Sequence, residues 1–319
     1  MSSASRPLGV ASLLVATSAW GSLFLVSQQV LGRLDPLWYT VARYTVAGLL
    51  LGALLAWRGG APWQSLRRDA PALALHGVLG FGVFSVMVLA GLARSAPAHG
   101  AIIMATMPLT TQALRWGLDG QRPRASALPI AALALAGVAL ASGLLHAGPA
   151  AEAHTAFGDA LMLAGTLGWV LYTRGAARFP QLDALGYSAL TVIAAWPWLL
   201  AAALVASAFG WVALPALPTL QSLWQALLYV GVLPSAVAVL AFNHGVRTLG
   251  PVSGTAFLNF VPVSALLMGM ALGHRPAAHE LAGMAMVIGA LLWHTAAAAG
   301  PVRAMVQSGP RLSTRPCNP

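Results

Sequence analysis

Apolar residues in this chain run in blocks of about twenty, the length an α-helix needs to cross the roughly 30 Å hydrocarbon layer of a bilayer. The blocks fall at 8–30, 37–57, 71–93, 97–118, 126–146, 157–178, 185–209, 222–246, 251–272 and 279–299. Between them stand turn-forming pairs and clusters: Asp35-Pro36, Gly59-Gly60-Ala61-Pro62, Arg122-Pro123, Gly148-Pro149, Gly250-Pro251 and Arg275-Pro276. Only 8% of the 319 residues are charged, against roughly 25% in a soluble domain. A membrane barrel would instead alternate apolar and polar residues over strands of about ten. The pattern predicts an all-α integral membrane protein with ten transmembrane helices and excludes a soluble enzyme. The first block is too long for a signal-peptide core and is followed by no clear cleavage site, so it is expected to stay as a helix.

The orientation follows from the arginines. All 17 basic residues are Arg, against 7 acids. With the N-terminus inside, thirteen of them fall in inner segments: Arg6, Arg58, Arg67, Arg68, Arg115, Arg122, Arg124, Arg174, Arg178, Arg247, Arg303, Arg311 and Arg315. Only Arg33, Arg94 and Arg275 fall in outer connectors, and Arg43 lies within the second block. That asymmetry places both termini in the cytoplasm and assigns the net charge of +10 to membrane orientation rather than to nucleic acid. The lone Cys317 sits in a Pro-, Ser- and Arg-rich tail, which precludes an internal disulfide.

The two halves of the chain match each other. Thr17 and Trp20 meet Thr166 and Trp169; Asp35, Leu37 and Tyr39 meet Asp183, Leu185 and Tyr187. Gly91, Pro97, Gly100 and Pro108 meet Gly245, Pro251, Gly254 and Pro262 at one constant spacing, and Gly120-Gln121-Arg122-Pro123 meets Gly273-His274-Arg275-Pro276. Each half holds five blocks, an odd number, so the halves enter the membrane in opposite senses. The expected organisation is a cytoplasmic segment 1–7, a first repeat 8–146, a periplasmic connector 147–156, a second repeat 157–299 and a disordered tail 300–319. Inverted repeats of this kind are typical of secondary transporters, whose substrate site lies near the midplane between the halves.

Gly158-Asp159, Leu161, Trp169 and Tyr172 form a segment that resembles the opening helix of an EamA domain of the drug/metabolite transporter superfamily. Arg43 followed by Ala47-Gly48-Leu49-Leu50, Ala241-Phe242-Asn243 leading through Gly250-Pro251 to Pro262, and the Gly-x-x-Pro junction before the last helix of each half are similar to that family as well. The resemblance spans about residues 8–299. It implies ten helices, inner termini and export of small metabolites or amino acids. Gln121 and His274 stand where the family often carries Glu.

Polar groups inside a membrane span are costly and mark functional positions. None of the acids falls in a span interior, which argues against a carboxylate proton relay at the midplane; a histidine could carry protons instead. Trp20 and Trp169 lie deep in their spans, where paired rings could line a cavity and stack on a flat or cationic substrate, or simply pack. Tyr172 follows Trp169 by one helical turn and shares its face. Asn243 and Asn259 carry donors and an acceptor suited to an amino acid's ammonium and carboxylate, or to interhelical hydrogen bonds. His99, near the outer entrance, is a further substrate candidate, and His76 and His244 are expected to reach the inner surface. Pro108 and Pro262 would kink their helices at matched positions near mid-bilayer, where a gate could bend. Arg43 either snorkels to the outer interface or contacts an anionic group.

No nucleotide-binding loop, nucleophile elbow or metal-ligand spacing is present in the sequence, so it reads as a transporter and not an enzyme. The expectation is a secondary transporter in the bacterial inner membrane that exports amino acids or similar small metabolites by alternating access. Nucleosides, cofactors and lipid-linked or nucleotide sugars stand as the alternative substrates. Its partners are a small-molecule substrate and membrane lipid, with no nucleic acid, cofactor or metal, and a homodimer is left open.

Overall fold

A computed structural model describes residues 5–60, 62–94, 103–104, 106–123, 125–141, 152–273 and 275–307. Proline, glycine and aspartate set the helix ends. Asp35 caps the helix Pro36–Arg58 by accepting a hydrogen bond from the Leu37 amide at 2.8 Å, with Pro36 at the first helical position. Asp183 caps Ala184–Ala208 in the same way, from the Gly186 amide at 2.8 Å. Gly120 and Gly250 close helices at φ 66° and 89°, a region that other residues enter only with strain.

The described residues form helices and no strand. In chain order these are α1 (Ser5–Leu31), α2 (Pro36–Arg58), α3 (Pro62–Gly77), α4 (Phe84–Leu92), α5 (Met107–Asp119), α6 (Ala127–Ala141), α7 (Glu152–Gly175), α8 (Ala184–Ala208), the short α9 (Leu217–Ser222), α10 (Trp224–Val232), α11 (Ala238–Leu249), α12 (Pro251–Phe257), α13 (Phe260–Ala271) and α14 (Ala278–Gln307). Among the described residues, six helical stretches are long and apolar enough to span a membrane: Arg6–Leu31, Pro36–Arg58, Pro62–Leu92, Ala184–Ala208, Trp224–Leu249 and Pro251–Ala271. The other four expected blocks overlap α5, α6, α7 and α14, and residues 97–102, 105 and 142–146 of them lie outside the described residues. Residues 147–151 of the connector expected at 147–156 lie outside the described residues, and 152–156 belong to α7. Helix α14 continues to Gln307, past Gly300, where the sequence led us to expect a disordered tail.

Two of the spanning stretches contain a π-helical segment. Val78–Val83 joins α3 to α4 as a π-helix, and Leu233–Val237 joins α10 to α11 as another. The spacing that carries Gly91 onto Gly245 also carries residues 79–83 onto 233–237, so the irregularity recurs at the matched place in both halves. Pro234 has no amide hydrogen to give Val230, and the Ser235 hydroxyl bonds that carbonyl instead at 2.7 Å. The sequence carried no signal for these segments beyond that proline.

Small residues set the crossings, as they do where helices meet within membranes. A methyl group added to Gly91 of α4 would stand 2.6 Å from the Gly158 carbonyl oxygen of α7 and also strike Met162. One added to its counterpart Gly245 of α11 would stand 3.1 Å from the Gly9 carbonyl oxygen of α1 and strike Leu13. Gly77 lies against the Thr191 carbonyl of α8, and its counterpart Gly231 lies against Val46 and the Arg43 carbonyl of α2. Helices α1 and α11 therefore pack as α7 and α4 do, while α2 against α8 and α6 against α14 are contacts between matched helices.

Ion pairs join charged side chains at helix ends and connectors. Arg58 pairs with Asp183, Arg174 pairs with Asp119, and Arg68 lies 3.2 Å from Asp69. Large apolar groups cover much of the outer surface, among them Leu49, Trp57, Leu128 and Trp198.

Candidate functional site

Helices α1, α4, α7 and α11 bring a group of aromatic rings to the centre of the bundle. Trp20 and Trp169 meet edge to face, with ring centroids 5.2 Å apart at 88°. Phe242 lies 5.2 Å from Trp20 and 5.4 Å from Trp169, and Phe84 closes on Trp169 at 5.1 Å. Tyr172 sits 5.3 Å from Trp169 and stacks on Tyr187 at 5.1 Å. Edge-to-face and offset pairs of this kind each add about 0.5–1.5 kcal/mol beyond simple burial.

Polar groups are threaded through these rings. The Asn243 amide nitrogen donates to the Tyr172 hydroxyl at 2.6 Å and to the Ser188 hydroxyl at 2.8 Å. The Tyr187 hydroxyl donates to the Tyr172 carbonyl at 2.7 Å. The Trp20 indole N–H donates to the carbonyl of Pro234, within the π-helical turn, at 2.9 Å. Two buried polar atoms of this group have no partner: the indole nitrogen of Trp169 and the side-chain oxygen of Asn243, in residues 3% and 1% exposed. An unmet buried donor or acceptor costs about 1–3 kcal/mol. The group thus presents one free donor and one free acceptor beside stacked rings.

Arg43 does not snorkel. It is 5% exposed, and its guanidinium donates to the Tyr44 hydroxyl at 2.8 Å and the Ser85 hydroxyl at 2.9 Å while lying over the Tyr44 ring. The reason is tertiary: α4 offers Ser85 at the level where reading α2 alone shows only lipid. His76 is likewise buried, with a ring nitrogen 2.7 Å from the Ala72 carbonyl and its ring edge-on to Phe179.

The second asparagine belongs elsewhere. Asn259 and Pro108 line a cavity of about 420 Å3 between α5 and α6 of the first half and α12, α14 and the break after α12 of the second. Gln112, Arg115, Gln121, Arg122, Ser126, Ser253 and His294 add polar surface, and among the described residues no carboxylate lines it. The Asn259 side-chain oxygen is buried without a partner. The chain breaks beside it: the Leu258, Asn259 and Val261 amides turn back three residues, to Thr255, Ala256 and Leu258, because Pro262 cannot donate to Leu258. Pro262 therefore stands just inside α13, and Pro108 just inside α5. His99 lies outside the described residues.

The structure thus gathers Trp20, Trp169, Tyr172 and Asn243 in one place, and Asn259 with Pro108 in another. Sequence reasoning missed Phe242, Tyr187, Ser188 and Pro234 around the first. Around the second it missed Arg115, Arg122 and Ser253. A buried serine or tyrosine in an apolar block is a usable signal, whereas Phe242 and Pro234 differ in no way from packing residues.

The sequence profile of the family described as the EamA-like transporter family matches residues 7–143 and 156–295. The uncharacterized transporter YrdR of Bacillus subtilis (strain 168) is 28% identical over 288 residues, covering 88% of this chain and 89% of that one. The uncharacterized inner membrane transporter YedA of Escherichia coli (strain K12) is 29% identical over 259 residues, covering 80% and 79%. A probable terminal-alkyne amino-acid exporter of Streptantibioticus cattleyicolor is 25% identical over 291 residues, covering 88% and 91%. A solved crystal structure aligns with a TM-score of 0.72 at 21% identity, over 97% of this chain and all of the other, and shares the fold.

Proposed function

The chain belongs to the EamA-like transporter family, and from that membership we propose that it exports amino acids or similar small metabolites by alternating access. It is a multi-pass protein of the inner membrane, as its apolar helices and its likeness to a named inner membrane transporter indicate. We read it as ten transmembrane helices in two inverted five-helix repeats with both termini in the cytoplasm. The matched glycine crossings and matched π-helical turns support the repeat, and the arginine asymmetry supports the orientation. The relative named as a probable amino-acid exporter supports the substrate class.

One observation carries the reading of the site. At the contact between the halves, Trp169 and Asn243 hold an unmet donor and an unmet acceptor among stacked rings. A substrate with both a carboxylate and an ammonium would satisfy the two atoms at once, and the rings would take its apolar part. Nothing in this arrangement resembles a nucleophile with its base, so the proposal is transport and not catalysis.

Flux in proteoliposomes tests it. Vesicles loaded with a panel of labelled amino acids should show saturable efflux of one chemical class. Efflux indifferent to an imposed pH gradient would make the protein a facilitator or exchanger, in keeping with spans whose interiors hold no acid. Absence of efflux across the whole panel would sink the amino-acid reading and turn the search to nucleosides, cofactors and lipid-linked or nucleotide sugars.

A further inference from the structure

We propose that the cavity around Asn259 is a second binding site, a vestibule that takes the substrate as a zwitterion before it reaches the aromatic group; the proposal rests on the transport reading above. Its carboxylate lies between the guanidinium groups of Arg115 and Arg122. Its ammonium donates to the Asn259 side-chain oxygen, and its side chain rests on Ile130, Ala134 and Leu291.

Three observations carry the assignment. First, the charge is one-sided: among the described residues two arginines line the cavity and no carboxylate does, so the field inside it favours a negative group. Gln121 accepts a hydrogen bond from Arg115 and holds that guanidinium at the wall, while Arg122 is exposed. Second, the Asn259 oxygen is an acceptor without a donor in a residue 4% exposed. A ligand with acceptor oxygens alone, such as sulfate, would satisfy the arginines and leave that acceptor unmet, whereas one that carries a donor as well satisfies all three groups. Third, about 420 Å3 falls within the size range of small-molecule sites, roughly 300–1,000 Å3, and one wall is aliphatic. The cavity takes lining from both halves and reaches the broken turn at Leu258 and Asn259, where a transporter helix can expose its backbone to a ligand. By the arginine asymmetry it lies toward the cytoplasm, where a substrate for export enters.

The test is equilibrium binding of labelled L-leucine and L-threonine to the purified full-length protein in phosphatidylcholine nanodiscs, with leucinamide and N-acetyl-leucine as competitors. Saturable binding is expected, and both Arg122→Gln and Asn259→Leu should weaken it about tenfold or more. Leucinamide, which lacks the carboxylate, and N-acetyl-leucine, which lacks the ammonium, should both compete poorly. Thermal unfolding of each variant checks folding, and if Asn259→Leu fails to fold, the exposed Arg122→Gln carries the test. Unchanged binding in both folded variants would overturn the vestibule while leaving the transport reading to the flux measurement. Full competition by leucinamide, absence of any amino-acid binding, or retention of phosphatidylglycerol in place of amino acid would each overturn it as well, the last making the occupant a lipid.

Discussion

Trp20 and Trp169 occupy matched positions in the two halves and touch edge to face at 5.2 Å, yet only Trp20 has a partner for its indole N–H, the carbonyl of Pro234. The buried N–H of Trp169 bonds nothing. The residue at the place of Pro234 in the first half is Gly80, which packs beneath the Tyr172 ring instead. A repeated scaffold thus carries a contact that is not repeated: one tryptophan ties the π-helical turn to α1, and the other keeps an unmet donor.

That difference separates the two residues by experiment. Trp20→Phe and Trp169→Phe are the same truncation, but only the first removes a hydrogen bond. Trp20→Phe should be the less stable by about 1 kcal/mol in a denaturant titration. Equal stabilities would contradict the assignment of the two N–H groups.

The Asn243–Tyr172 hydrogen bond should show as a coupling energy. In a cycle of Asn243→Ala, Tyr172→Phe and the double variant, the coupling should fall near 0.6 kcal/mol, the average for such bonds within membranes, and at most about 1.7 kcal/mol. Additive effects would show that the 2.6 Å contact contributes nothing.

Gly77 is held by backbone rather than by a movable side chain. Gly77→Ala would press a methyl group onto the Thr191 carbonyl and should cost about 1–3 kcal/mol, with reduced yield of folded protein. Gly117→Ala, where nothing stands within 4 Å, should be neutral or slightly stabilising. Equal yields from the two variants would mean that α3 and α8 cross elsewhere.

The Asp183–Arg58 pair gives stability a dependence on pH. Burial acts to raise the Asp183 pKa, but hydrogen bonds from Arg58 and the Gly186 amide, with the charges of Arg58 and Arg247, outweigh it and hold the carboxyl below its ordinary 3.8. A depressed carboxylate contributes stability that is fully present above its unfolded value and lost as pH falls through the native one. Asp183→Asn should therefore lower the unfolding temperature at neutral pH. The gap should narrow as pH falls below 3.8 and close beneath the native value. A gap independent of pH would contradict the pairing.

Much of this was legible in the sequence because it is written in local chemistry. Asp35 and Asp183 announce their helix starts, Gly120 and Gly250 their ends, and the match of Gly91 with Gly245 foreshadows two equivalent crossings. What stayed hidden depends on neighbours distant in the chain. Arg43 reads as a snorkelling side chain until α4 brings Ser85 to it, and Asn243 and Asn259 read as one site until the fold separates them. The π-helical turns were missed because a widened turn alters backbone pairing and leaves apolar periodicity almost unchanged.

The most direct test of the site is efflux by Trp169→Ala, set beside Trp57→Ala, whose ring is 87% exposed on the outer surface. Both variants should reach the membrane folded and in similar amounts. Trp169→Ala should lose most of the saturable amino-acid flux while Trp57→Ala keeps it. Normal flux through Trp169→Ala would remove the aromatic group from the substrate path and contradict the account.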